Sequence, residues 1–189
     1  MNSRSFSLKP FLSAGLLPGL EITGSIERYS DRLSMSYALS GPMDEVVLPA
    51  PADKRVRKNR LWEETCFEFF LGVKSFEHYW EFNLSPAGHW NVYRFMSYRQ
   101  GMQEEPAFTS LPFGVRIQPE TLRLILELDP DRIIPPGRVL QVGISAVIKT
   151  IHGDITYWAL THPGPQPDFH RRDSFIVELR GGRLNPGNI

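Results

Sequence analysis

Two glutamates, Glu68 and Glu81, lie in strand-patterned runs, LWEETCFEFFLG and YWEFNLSPAGHWNVYRF, where a plain sheet needs only apolar residues and solvated polar ones. Carboxylates placed among rings suit two kinds of chemistry. They accept hydrogen bonds from hydroxyls while neighbouring rings stack on apolar C–H faces, which is what a pyranose requires. They also suit glycoside hydrolysis, with one carboxyl as an acid of raised pKa and the other as nucleophile or base. Asn83 and Tyr93 would share a surface with them, flanked by Tyr79 and Phe95. Arg99, in SYRQGM, is placed to clamp a carboxylate or phosphate bidentately, or to pair with Glu104 or Glu105.

The elements that position these groups follow from a two-residue alternation. Pro86 at the first corner of Ser85-Pro86-Ala87-Gly88, with Gly88 two residues on, suits a type I turn closed by a left-handed glycine. That loop puts Phe82 opposite Val92 and Leu84 opposite Trp90 on one face. Glu81 then faces Tyr93, and Asn83 faces Asn91, on the other. A two-residue loop would set Asn83 against Trp90 and mix the faces. In Thr65 to Leu71 the same parity sends Phe67, Phe69 and Leu71 to the core and leaves Cys66, Glu68 and Phe70 opposite.

Similar alternation runs through Leu33 to Leu39 and Leu122 to Leu128, and Val139 to Ile148 reads as a central strand covered on both faces. Further strands are expected from Leu20 to Tyr29, joined to the next through Ser30 and Asp31, and at Ile155 to Leu160 and Phe175 to Leu179. The fold class is therefore all-β: a two-sheet antiparallel β-sandwich, jelly-roll-like, of about ten strands. One domain over residues 1–180 is expected, with 181–189 as a flexible tail.

With 21 basic and 21 acidic residues the chain carries no net field, so neither nucleic acid nor a membrane surface is an expected partner. FLSAGLLPGL is bracketed by Pro10 and Pro18 and lacks a cleavage pattern, and no apolar run reaches the ~20 residues of a membrane span. Cytoplasmic residence is expected, and the single Cys66, in an apolar strand, fits a reducing compartment. Oligomeric state is not legible.

The loop PAPADKRVRKNR offers Lys54, Arg55, Arg57, Lys58 and Arg60, either as a patch for phosphate or an acidic protein or as a solvated loop. His152, Asp154, His162, Asp168 and His170 are available metal ligands, of which His162, Asp168 and His170 are the weak candidates, but their spacings match no zinc motif. Alternatively, His162 and His170 hydrogen-bond loop carbonyls. The chain has no nucleophile elbow, phosphate-binding glycine loop, HExxH or dinucleotide fingerprint, so a binding module leads over a catalyst.

Trp62-Glu63-Glu64, then Glu68 with Phe69, then Asn83 to Gly88, resemble the DOMON-like superfamily, which is related to the family 9 carbohydrate-binding modules. The stretch TYWALTHPGPQPDFH is similar to a bacterial DOMON-like subgroup. The resemblance implies a β-sandwich that binds a small molecule or glycan without doing chemistry alone. By analogy with family 9, it nominates Trp90 and Trp158 as a sugar clamp, and Trp158 joins the expected site. Haem-binding relatives imply axial ligands among Met96, Met102, His162 and His170, although sugar is preferred to haem. A structural calcium ion, by the same analogy, would use Glu63, Glu64 or Asp168.

Overall fold

Strands that alternate large apolar and polar side chains can bury one face only by pairing with a second sheet. The computed structural model, which describes residues 2–12, 16–29 and 31–180, has this arrangement. Ser30 and the tail expected over 181–189 lie outside the described residues. The strands are β1 (Asn2–Ser7), β2 (Lys9–Pro10), β3 (Glu21–Tyr29), β4 (Arg32–Ser40), β5 (Cys66–Val73), β6 (Tyr79–Leu84), β7 (Trp90–Phe95), β8 (Gln103–Glu104), β9 (Phe113–Gln118), β10 (Thr121–Leu128), β11 (Leu140–Lys149), β12 (Ile155–Ala159) and β13 (Val177–Leu179). A five-stranded sheet runs β1-β3-β4-β10-β9, and an eight-stranded sheet runs β2-β12-β11-β5-β6-β7-β8, with β13 pairing β11. All the pairings are antiparallel.

The protein is thus a two-sheet β-sandwich with more strands than the ten or so expected. The additions are short or weakly patterned: β1 and β2 use the N-terminal segment, β8 is a dipeptide, and β9 has mostly exposed positions. Ile22, Met35, Leu39, Leu124 and Leu126 from the smaller sheet pack against Phe67, Phe69, Phe82, Val142 and Ile144 from the larger. The Tyr37 hydroxyl crosses this core to donate to the Glu68 carbonyl at 2.7 Å, which ties the two sheets together beneath β5.

The hairpin has the expected register. Phe82 pairs with Val92, Leu84 with Trp90, Glu81 with Tyr93 and Asn83 with Asn91. Gly88 N–H donates to the Ser85 carbonyl at 2.8 Å, and Gly88 adopts φ +94°, the left-handed conformation that closes a three-residue loop. β11 is buried along almost its whole length, and its outer edge is shared by β12 and β13.

The larger sheet is covered on its outer face as well. Phe70, Tyr79, Tyr93, Phe95 and Phe175 form a second apolar cluster there, with Trp62 and Phe169 packed against it. The covering segment approaches closely because two outward positions lack side chains. A Cβ at Gly143 would stand 2.8 Å from the Phe175 ring, and one at Gly72 would collide with the Arg172 guanidinium.

Candidate functional site

Parity on the larger sheet puts Glu68 on β5, Glu81 and Asn83 on β6, Tyr93 on β7 and Ser145 on β11 on one outward face. Glu68 is paired across the ladder with Asn83 on one side and Ser145 on the other. Instead of lying on an open platform, these residues form the floor beneath a cover. A cavity of about 340 Å³ is lined by Glu68 and Glu81 below, by Trp62, Phe95, Tyr157 and Phe169 as rings, and by Val147, Arg99, Met102, Pro167 and His170. Trp62 reaches it from a 3-10 turn, Leu61–Glu63, that enters β5.

The floor is a network of buried polar groups. Asn83 Nδ2 donates to Glu81 Oε1 at 2.7 Å, and Ser145 Oγ donates to Glu68 Oε2 at 3.4 Å. Glu68 Oε1 is buried without a hydrogen-bond partner. His170 Nε2 stands 3.7 Å from Glu81 Oε2, while its Nδ1 lies 2.9 Å from the Tyr79 hydroxyl. That hydroxyl also accepts from the Arg99 backbone N–H at 3.2 Å.

Burial sets the charge states. It raises Glu81 to about 7, against which the Asn83 bond and the Arg99 charge pull downward. Glu68 is pushed well up by burial and then by the neighbouring Glu81, with Ser145 a smaller opposing influence. Burial and then Arg99 lower His170 to about 4, so it is neutral near pH 7. Burial raises Tyr79 and Tyr93 to about 12.

Of the expected site residues, Glu68, Glu81 and Arg99 line the cavity. Asn83, fully buried, holds Glu81 from beneath. Tyr79 and Tyr93 also lie below the surface, in the aromatic cluster; the Tyr93 hydroxyl donates to Asn59 Oδ1 and accepts from Asn91 Nδ2. Arg99 pairs with Asp168 at 2.9 Å rather than with Glu104 or Glu105. Trp158 is elsewhere. It pairs across from Ala146 on the inner face, lies in the main core and donates to Thr156 Oγ1. Trp90 is in the same core, so the two form no clamp. The reason is parity: in β12 the outward ring at the cavity is Tyr157, one residue away.

The candidate metal ligands are dispersed. The His162 ring is bonded to the Lys9 carbonyl at 2.8 Å, a strand carbonyl of β2 rather than a loop one, whereas Asp168 holds Tyr98 and Arg99 and His170 faces Glu81. Glu63 pairs with Arg60, and Glu64 pairs with Lys149 at 2.8 Å. Among the described residues no three His, Cys, Asp or Glu side chains gather to hold a metal ion. Met102 and His170 both line the cavity; the Tyr79 hydroxyl lies on His170 Nδ1, and Nε2 faces Glu81.

The basic loop is exposed except at Arg57, which is a buttress. Arg57 stacks on Trp90 with 4.5 Å between guanidinium and ring centroid. It donates to Asn91 Oδ1 and to the carbonyls of Val92, Glu105 and Phe108. Arg55 bonds the Phe113 carbonyl, yet Lys54, Arg55, Lys58 and Arg60 all stay exposed, as expected of the loop.

Several cavity residues were missed in the sequence: Trp62, Tyr157, Phe169 and Val147. Parity separates Tyr157 from Trp158 and Val147 from Ala146, but only the strand pairing shows which member of each faces outward. Trp62 and Phe169 lie outside strands, where no period marks a direction.

This arrangement has structural parallels. A candidate carbohydrate-binding protein from Bacteroides uniformis superposes with a TM-score of 0.68 at 14% identity, over 90% of this chain and 83% of that one. A family 9 carbohydrate-binding module from Caldicellulosiruptor kristjanssonii, solved with cellotriose, gives 0.57 at 11% identity over 100% and 87%; a structure of such a module with glucose gives 0.53 at 11% over 92% and 84%. The likeness is one of fold. No family model matches the sequence, and no curated protein does.

Proposed function

We propose that this chain is a non-catalytic, DOMON-like module that binds a sugar or sugar-containing metabolite in the cavity above Glu68 and Glu81. The observation that carries this reading is a ring-walled cavity of about 340 Å³ with two carboxylates at its floor. Trp62, Phe95, Tyr157 and Phe169 offer faces for pyranose C–H groups, and Glu68 and Glu81 offer acceptors for hydroxyls. The volume is at the small end of the ~300–1,000 Å³ usual for ligand pockets, which suits one or two rings rather than a long glycan. The similar Caldicellulosiruptor modules, solved with cellotriose and glucose, support the class of ligand.

Of the four tryptophans, Trp62 alone lines the cavity, while Trp80, Trp90 and Trp158 are buried in the core. Titration with glucose and short oligosaccharides is therefore expected to change tryptophan fluorescence in the wild type and not in Trp62→Phe. A broad glycan panel with no binder overturns the assignment. A glycosidase reading draws on the same two carboxylates. Hydrolysis of chromogenic glycosides that disappears in Glu68→Gln would replace the binding module with an enzyme.

A further inference from the structure

The floor of the cavity has more acceptors than donors. Glu68 Oε1 is buried without a partner, and Glu68 Oε2 has only the long 3.4 Å contact from Ser145. Glu81 Oε1 is satisfied by Asn83, but Glu81 Oε2 faces His170 Nε2 at 3.7 Å, beyond hydrogen-bonding range. Both glutamates are at most 4% exposed, so water reaches them poorly. No cation of the lining fills this deficit. Arg99 Nη2 is bonded to Asp168, and burial and then the Arg99 charge keep the imidazole of His170 neutral. The walls are rings, whose negative faces stabilise a cation as well as they stack on C–H groups.

We propose that the ligand is an amino sugar bound through its free, protonated amine, which sits between the Glu68 and Glu81 carboxylates with the sugar ring against Trp62, Phe95, Tyr157 and Phe169. This rests on the sugar reading above and specifies the substituent. A primary ammonium brings three N–H donors and one positive charge to a floor that is short of donors and has no cation of its own. A hydroxyl brings one donor and no charge. An N-acetyl group brings one N–H, no charge and a larger substituent. Buried carboxyls of which one, Glu81, pushes the other, Glu68, upward stay partly protonated without a cation between them, and an ammonium allows both to ionise. Binding near neutral pH therefore expels protons to solvent.

The test is calorimetric titration of the wild-type protein with glucosamine, glucose, N-acetylglucosamine and cyclohexylamine, at pH ~6 in two buffers of different ionisation enthalpy. Glucosamine is expected to bind at least about tenfold tighter than glucose or N-acetylglucosamine, with protons released to the buffer. Glu68→Gln and Glu81→Gln are each expected to reduce that preference, but the comparison among ligands needs no variant. If glucose or N-acetylglucosamine binds as tightly as glucosamine, the amine inference is overturned and the sugar reading stands. If cyclohexylamine binds and none of the sugars does, the sugar reading is overturned, and with it the amino-sugar assignment, leaving an amine site. If none of the four binds, both fail.

Discussion

At the scale of single residues, the decisive feature is a set of titratable groups removed from water. Glu81 rises from an ordinary 4.5 to about 7, so between those values the folded chain keeps a proton that the unfolded chain has released. Its contribution to stability is complete below 4.5 and is lost as pH rises through 7. His170 falls from 6.5 to about 4, so the unfolded chain takes up a proton first as pH drops, and that contribution is lost as pH falls from 6.5 towards 4. The two oppose each other where their windows overlap. In Glu81→Gln the Asn83 bond has an acceptor still, and the ionisation is gone. The urea midpoint of this variant relative to wild type is expected to climb between pH ~4.5 and ~7. A difference that stays flat across the window would refute burial as the source of the shift. Glu68 and Glu81 were legible as unusual from sequence because a carboxylate in a strand with rings on both sides has few innocuous places to go. Their enclosure was not, because burial of an outward face depends on what another segment does.

At the scale of elements, the central hairpin and the loop beside it behave differently. The hairpin register could be read from Pro86, Gly88 and the matching of Phe82 with Val92, since a slip by one residue exchanges every side chain between faces. The loop before β5 could not. Its charge suggested exposure throughout, which holds for Lys54, Arg55, Lys58 and Arg60, but Arg57 folds back over Trp90 and donates to the carbonyls of Val92, Glu105 and Phe108. Arg57→Ala leaves those carbonyls without that donor and uncovers the indole. A loss of about 2–3 kcal/mol by urea unfolding is expected, whereas Lys58→Ala, on an exposed side chain, changes little. Equal and small effects at the two positions would return the loop to a solvated strand of charge. Arg57 is thus a poor choice for testing a docking surface, because its replacement disturbs the fold first.

At the scale of the whole molecule, the cavity exists because a segment from the C-terminal part of the chain closes over the larger sheet. Phe169, His170 and Phe175 meet Phe70, Tyr79 and Phe95 there, and Phe175 reaches the sheet because Gly143 presents no side chain. Gly143→Ala is expected to lift Phe175 and loosen this cover, with faster tryptic cleavage after Arg171 or Arg172 and weaker ligand binding, while the sandwich core stays folded by circular dichroism. Unchanged cleavage and affinity would show that the cover is held by other contacts. The sequence by itself determined the β-sandwich and the sidedness of its strands, because side-chain direction in a strand alternates locally with period two. It therefore placed Glu68, Glu81, Asn83 and Tyr93 on one face. The same rule, applied to β12, selects Tyr157 over Trp158, and only the pairing of Trp158 with Ala146 revealed which face of that strand was inner. Tertiary structure decided the rest: which rings become walls, which tyrosines sink beneath them, and that two carboxylates end at the floor of a ring-walled cavity. Those outcomes depend on contacts between segments some 90 residues apart, such as Tyr79 with His170, and no local period records them.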